Sequence, residues 1–303
     1  MFTLAHLSDP HLAPLPTPRF SELLSKRLFG FLNWQKKRRD IHLFGTLEKL
    51  IADIKQQSPD HIAVTGDLIN IALPDEYPIA RLWLNNLGAP HDVTLVAGNH
   101  DAYIKKMEGE PLREWGAYMC GDEQTQAAFP FVRKRGPVAI VGLSTAVASR
   151  PGRATGRLGA EQLTHLPGIL KKLGEEGTFR IVSLHHPPES EPHRHSERLI
   201  DGKAFVAAIA ESGADLVIHG HEHIHSVAWI DGAGRRVPVV GVPSASAAPR
   251  GGKWQPAGYN LYRIEGGPGA WRCEMASWSM NRDGETYEIG RRMLMRTKIK
   301  TRN

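Results

Sequence analysis

The chain has 303 residues, 41% of them hydrophobic, which is enough to bury the core of a large globular domain. This composition excludes a disordered regulator, and the two cysteines, Cys120 and Cys273, are too few for a disulfide framework. No apolar run reaches the length of a membrane span, and the first residues lack the features of a secretory signal. The sequence therefore predicts a cytoplasmic protein with free thiols.

The net charge of +6 is concentrated in two segments. Residues 19–39 contain seven basic side chains and one acidic side chain, and residues 291–302 contain six basic side chains and no acidic one. The rest of the chain therefore carries −6. An acidic body with two basic segments differs from a nucleic-acid-binding surface, so no nucleic-acid partner is expected.

In chain order, hydrophobic periodicity predicts strands that alternate with helices, followed by strands alone. The predicted strands are 2–7, 60–64, 93–96, 138–143, 179–184, 215–218, 227–230, 237–242, 259–264 and 271–278. The predicted helices are 19–35, 43–57, 75–87, 159–173 and 202–211. This order predicts an α/β body extended by antiparallel strands, forming one domain over residues 1–282. Residues 283–303 are predicted to be a basic, poorly ordered C-terminal tail.

Five of the predicted strands end in a polar cluster. Because the carboxyl ends of strands border the ligand crevice of an open α/β sheet, we expect the five clusters to converge. Each histidine taken alone would more often be structural, but five such clusters in this order predict a metal site. Their Asp, His and Asn side chains suit Mn, Fe, Zn or Co, and seven candidate ligands are too many for one tetrahedral ion. The clusters are Asp9 with His11, Gly66 with Asp67, Gly98 to Asp101, His185 with His186, and Gly220 to His223.

These clusters resemble the pattern of the calcineurin-like metallophosphoesterase family, D-x-H, G-D, G-N-H-D/E, H and G-H-x-H, from residue 4 to about residue 245. The resemblance implies a four-layer αββα sandwich that binds two divalent ions, with manganese expected first. It implies that one ion is held by Asp9, His11 and His223, and the other by Asn99, His185 and His221. Asp67 would bridge the two ions, and His100 would be a catalytic residue that binds no metal.

The resemblance also implies hydrolysis of a phosphodiester. Two ions about 3.5–4 Å apart bind the phosphoryl group and produce a metal-bound hydroxide that attacks phosphorus in line. An imidazole such as His100 can neutralise the leaving oxygen. Either Asp67 or Asp101 would hold this imidazole; the alternative for Asp101 is that it caps a following helix.

Residues 19–39, the basic insert, predict an amphipathic helix. Phe20, Leu24, Leu28 and Phe31 recur at helical spacing, and Gly30 weakens a helix packed on its own domain. A basic amphipathic helix with an aromatic anchor is typical of contact with an anionic membrane, here its inner face. The alternative is that the apolar face packs on the protein itself. The predicted membrane contacts are Phe31, Trp34, Lys36, Lys37, Arg38 and Arg39.

The insert string ELLSKRLFGFLNWQKKRR is similar to the N-terminal region of bacterial calcineurin-like phospholipases C. That similarity favours a membrane phospholipid as substrate, cleaved to diacylglycerol and a phosphorylated head group. The alternative is a soluble phosphodiesterase for cyclic nucleotides or glycerophosphodiesters. A non-catalytic metal-binding scaffold is a further alternative, against which the complete set of candidate ligands argues.

Overall fold

Two six-stranded sheets form the centre of the computed structural model, which describes residues 1–189, 192–250 and 254–296. The first sheet contains, from edge to edge, β12 (Thr286–Arg296), β11 (Arg272–Met280), β10 (Gly258–Glu265), β1 (Phe2–Leu7), β2 (His61–Val64) and β3 (Val93–Leu95). The second contains β4 (Phe131–Arg135), β5 (Val138–Gly142), β6 (Phe179–Ser183), β7 (Leu216–His219), β9 (Arg235–Gly241) and β8 (Ser226–Gly232).

Helices connect the parallel strands of each sheet, except that β8 lies between β7 and β9 in the chain. The α-helices are α1 (Arg27–Lys36), α2 (Phe44–Gln56), α3 (Glu76–Leu87), α4 (Glu110–Trp115), α5 (Ala160–Glu175) and α6 (Gly202–Ser212). Short 3-10 segments are Phe20–Leu23, Arg38–Asp40, Lys105–Met107, Gly116–Met119 and Pro192–Glu197. β1, β2 and β3 are parallel, as are β5, β6, β7 and β9. A parallel pair needs a crossover connection, which the intervening elements provide. The carboxyl ends of β1, β2, β3, β6 and β7 carry the five polar clusters.

Three hydrophobic clusters separate the layers. One lies between the first sheet and α2 and α3, a second between the second sheet and α5 and α6, and a third between the two sheets. Successive strand residues point to opposite faces, so Leu4 belongs to the cluster between the sheets and Ala5 to the helix-facing one. The layers therefore run helix, sheet, sheet, helix, which confirms the predicted αββα sandwich.

Three elements differ from the sequence-based prediction. The helix predicted over residues 19–35 is a 3-10 turn at Phe20–Leu23 followed by α1, which begins at Arg27. β4 lies where no strand was predicted, and β12 lies in the segment expected to be a poorly ordered tail. β12 has little hydrophobic alternation, because it pairs with β11 as an edge strand and leaves most of its side chains exposed. Its charge is partly neutralised, since Arg291 pairs with Glu274 and Glu288. Residues 297–303 lie outside the described residues, and the division of the chain at residue 282 stays a prediction.

The described residues contain no helix that is both long and apolar enough to cross a membrane. Cys120 and Cys273 are free thiols, as expected.

Candidate metal centre

All seven predicted metal ligands lie on loops that follow strands of the two sheets. Asp9 and His11 follow β1, Asp67 follows β2 and Asn99 follows β3. The second sheet contributes His185 after β6, and His221 and His223 after β7. The site therefore draws on both sheets, at the edge where their parallel strands end.

Asp9, His11 and His223 form one group of donors. Nε2 of His223 lies 3.1 Å from Oδ1 of Asp9 and 3.4 Å from Nε2 of His11. Oδ2 of Asp67 lies 3.9 Å from Nε2 of His11, which brings the predicted bridging carboxylate to the edge of this group.

A second group surrounds the same carboxylate. Nε2 of His185 lies 3.3 Å from Oδ2 of Asp67 and 3.3 Å from Oδ1 of Asn99. The His221 ring lies 5.1 Å from that of His185, but its Nε2 lies 2.9 Å from the backbone oxygen of Glu197. Asp67 thus lies between the two groups, the position that a bridging ligand requires, while His221 points its Nε2 at a carbonyl.

The backbone fixes which ring nitrogen faces the centre. Nδ1 of His11 lies 3.1 Å from the carbonyl oxygen of Ile69, and Nδ1 of His185 lies 2.6 Å from that of Thr65. A carbonyl only accepts, so Nδ1–H donates in both rings and Nε2 is the ring nitrogen that faces the carboxylates. This orientation is the usual arrangement behind a metal-binding histidine.

The electrostatics of the centre fit cations. Burial alone would raise the pKa of Asp67, but His185 beside it holds that pKa at about 2. Burial would likewise raise the pKa of Asp9, which His223 holds well below its usual range. Burial would lower the pKa of His185, but Asp67 raises it to about 9. Two buried carboxylates that stay ionised need positive charge nearby, which divalent ions would supply.

Backbone strain is concentrated on the same residues. Among the described residues, seven that are not glycine have a positive φ, and five of them are predicted ligands. Such a backbone costs on the order of 1 kcal/mol or more per residue and persists where the surroundings enforce it. The five are Asp9 (φ 52°), His11 (φ 37°), Asp67 (φ 54°), His221 (φ 71°) and His223 (φ 56°).

The predicted catalytic histidine, His100, lies next to these donors, and a ring nitrogen of it comes within 4.8 Å of donor atoms of His11 and Asp67. Nδ1 of His100 contacts the backbone oxygen of Asn70, and its backbone N–H donates to Oδ1 of Asp67 at 2.7 Å. Asp101 neither holds this ring nor caps a helix. Its carboxylate accepts the backbone N–H groups of Gly98, Asp67, Leu68 and Ile69, and so ties the β2 loop to the β3 loop.

The basic insert and the residues directly after it bring two further side chains to the site, one of them an arginine that the sequence had assigned to membrane contact. Nη1 of Arg38 lies 3.0 Å from Nε2 of His100, and its Nη2 lies 3.4 Å from Nε2 of His11. The buried His42 ring lies 4.5 Å from the His11 ring and uses its Nδ1 to contact Oγ of Ser246 at 2.9 Å. Arg38 belongs to a run of four basic residues, and nothing in that run distinguishes the inward-facing one.

Three of the six predicted membrane contacts are placed elsewhere. Trp34 is buried, Phe31 packs against the helix-facing core, and Arg38 enters the site. Lys36, Lys37 and Arg39 are exposed. The burial of Trp34 contradicts the prediction for that residue, because α1 turns its Phe31 and Trp34 side toward the protein. Phe31 stays partly exposed, and membrane contact by the remaining residues stays a prediction.

A cleft of about 390 Å³ opens above the donors, within the usual size range of a small-molecule site. We call it the metal-centre cleft. It is lined by Arg38, Asp67, Asn99, His100, Ala154, Arg194, Glu197, His221, Glu222, His223 and Trp254.

The αββα sandwich with carboxylates and imidazoles at the shared edge of its sheets defines a metal-dependent phosphoesterase. A family model described as calcineurin-like phosphoesterase matches residues 2–225, and the chain belongs to this family. Membership implies a centre of two metal ions, which the cluster of carboxylates and imidazoles fits.

Two relatives are phosphodiesterases by name. A probable cyclic nucleotide phosphodiesterase of Synechococcus sp. (strain PCC 6301) is 31% identical over 232 residues, which cover 75% of this chain and 80% of the relative. A glycerophosphodiester phosphodiesterase of Enterobacter lignolyticus (strain SCF1) is 29% identical over 191 residues, 61% of this chain and 56% of the relative.

Solved structures share the fold at low identity. A dimetal phosphatase from Danio rerio has a TM-score of 0.66 at 12% identity, covering 98% of this chain and 99% of its own. A purple acid phosphatase from yellow lupin (Lupinus luteus) seeds has a TM-score of 0.60 at 13% identity, covering 95% of this chain and 52% of its own.

Proposed function

We propose that this metallophosphoesterase hydrolyses small soluble phosphodiesters of the cyclic-nucleotide or glycerophosphodiester class. The observation that carries the proposal is the convergence of the seven donors beneath one cleft of about 390 Å³, a volume suited to a small ligand. The names of the two relatives support the diester class. They favour this soluble alternative over the phospholipid that the sequence of the insert suggested.

Each ion would have its own set of donors. We propose Asp9, His11 and His223 for one ion, and Asn99, His185 and His221 for the other, with Asp67 between them. Manganese is the ion we expect, because oxygen and imidazole donors without thiolate suit it. When bound, the two ions supply positive charge for the phosphoryl group and activate water as the nucleophile.

His100 would serve the leaving oxygen. With Nδ1–H donated to Asn70, Nε2 faces the cleft, where Nη1 of Arg38 lies 3.0 Å away. This nitrogen would exchange a proton with the leaving oxygen once bound substrate draws the guanidinium away from it. Burial and the charge of Arg38 lower the pKa of His100 to about 3, so the free protein holds it neutral. The charge of a bound phosphodiester would raise this pKa, so that the ring takes up a proton only beside substrate.

A phospholipid presented on an anionic membrane is the second candidate substrate. Phe20 is 81% exposed and Phe29 63% exposed, and Leu28 and Leu32 lie four residues apart on α1 with partly exposed side chains. Lys36, Lys37 and Arg39 add exposed positive charge after them. Such a surface favours contact with an anionic bilayer. Its apolar residues are not Phe31 and Trp34, the apolar membrane contacts that the sequence predicted. Location at the inner face of the membrane stays a prediction.

A substrate panel tests both candidates. The Mn²⁺-loaded protein should hydrolyse a cyclic nucleotide, a glycerophosphodiester or bis(p-nitrophenyl) phosphate faster than phospholipid in anionic vesicles. Asp9→Asn, which removes a proposed ligand charge at a buried position, is the control that assigns the activity to this centre. Turnover of phospholipid alone would make the second candidate the substrate, and hydrolysis that persists in Asp9→Asn would remove the assignment to this centre.

A further inference from the structure

The basic insert places a guanidinium group inside the metal-centre cleft. Nη1 of Arg38 lies 3.2 Å from Nδ1 and 3.0 Å from Nε2 of His100, and its Nη2 approaches His11. Its neighbour Arg39 points outward, with 65% of its side chain exposed. The basic run is thus divided between an inward-facing and an outward-facing arginine.

Helix α1 holds Arg38 in this position by close packing on the β2–α3 connection. Arg27 donates from Nε to the backbone oxygen of Ile71 at 3.1 Å, and also from Nη2 to that of Ala72. A Cβ on Gly30 would lie 2.6 Å from Cγ2 of Ile71 and 2.7 Å from the hydroxyl of Tyr103. Gly30 therefore allows the helix to approach the site, where we had expected it to weaken packing.

The charges around Arg38 differ from those around the other arginine of the cleft. Arg194 lies 3.4 Å from a carboxylate oxygen of Glu197 and 3.9 Å from one of Glu222. Within the described parts of the chain, Arg38 forms no ion pair, and its polar contacts are ring nitrogens of His100 and His11. A guanidinium is charged at any ordinary pH, so this cation has no carboxylate partner of its own.

Divalent ions held by the neighbouring donors would repel this guanidinium at such short range. An anion lying between the ions and Arg38 removes the repulsion and provides an acceptor for its N–H groups. A phosphoryl group fits, because a guanidinium fork donates two parallel hydrogen bonds to two phosphate oxygens.

We propose that Arg38 is the phosphate-binding residue of the centre, donating to non-bridging oxygens of the phosphoryl group on the side opposite the two ions. The basic insert is then a component of the active site. This inference rests on the proposed function for its substrate, but phosphate binding can be measured without any hydrolysis.

The test compares Arg38→Ala, Arg38→Lys and the matched control Arg39→Ala. Metal content is measured after loading with Mn²⁺ and removal of excess, and the affinity for inorganic phosphate is measured by isothermal titration calorimetry. Loss of a charge-assisted hydrogen bond should weaken phosphate binding by about 10- to 100-fold in Arg38→Ala. Arg38→Lys should fall between, since it keeps the charge and loses the fork, and Arg39→Ala should match wild type.

The expected result is weaker phosphate binding at unchanged metal content. The value of kcat/KM for bis(p-nitrophenyl) phosphate should fall from wild type to Arg38→Lys and further to Arg38→Ala. Equal phosphate affinity in wild type and Arg38→Ala would overturn the proposal, as would loss of manganese in both Arg38 variants, which would make the residue structural. If phosphate binding depends on Arg38 while wild type hydrolyses no diester, the proposed function fails and this inference stands.

Discussion

Gly98 is the position where one methyl group should disable the centre. A Cβ at residue 98 would collide with Oδ1 of Asp67 and would lie 2.7 Å from its backbone nitrogen and 2.8 Å from its Cγ. Real Cβ atoms do not come this close to neighbouring atoms, so Asp67 would have to move. Asp67 has little freedom to move, because its N–H donates to Asp101 at 2.9 Å and its Oδ1 accepts the N–H of His100 at 2.7 Å.

The expected losses of stability and of metal affinity follow from these contacts. Overpacking a dense interior costs about 1–3 kcal/mol of the free energy of unfolding. Displacing the proposed bridge should also weaken metal binding by at least about 10-fold, the lower end of what misorienting a metal ligand costs. Gly98→Ala should therefore bind fewer than two manganese ions where wild type approaches two.

The assay measures metal content after removal of excess Mn²⁺, together with the thermal midpoint in EDTA and in Mn²⁺. Gly45→Ala is the matched control, because a Cβ there meets nothing within 4 Å and alanine favours its helix. Manganese should raise the midpoint of Gly45→Ala as in wild type, and that of Gly98→Ala much less. A Gly98→Ala protein with two ions and normal turnover would refute the argument that Asp67 holds both groups of donors together.

Two further predictions concern histidines. His100→Ala should keep both ions while kcat falls by about 10²–10⁴. The loss of kcat should be smaller for a nitrophenyl leaving group, because that group needs no proton. Equal losses on good and poor leaving groups would count against the proposed role of His100. The second concerns His61, which is buried beside Thr94, where burial, with Arg135 and Arg133, lowers its pKa to about 3. The unfolded chain takes up this proton below about pH 6.5, so stability should fall as the pH drops from there toward 3, by about 2 kcal/mol at pH 5 from this residue. His61→Gln should remove that part of the pH dependence in urea unfolding of the metal-free protein, and an unchanged slope between pH 7 and pH 5 would contradict it.

The candidate ligands were predictable because their positions are local. Asp9, Asp67, Asn99, His185 and His221 each follow a strand whose hydrophobic pattern marks its end, and parallel strands deliver their carboxyl ends to one edge. The αββα layering was expected from the family resemblance, and the structure confirms it. The burial of His61 was not predictable, because a four-residue strand shows too little of its pattern to tell its faces apart.

Only the tertiary structure decided the role of the basic insert. Its composition predicts a charged, partly apolar helix, and it does not say which side of α1 meets the protein. Docking on Ile71 and Tyr103 buries Trp34, directs Arg38 to the metal centre and leaves Arg39 in water. The same holds for β12, whose exposed and basic residues join the sheet through backbone hydrogen bonds to β11. Backbone pairing and the direction of a docked helix depend on distant partners, so adjacent residues of like charge can have opposite environments.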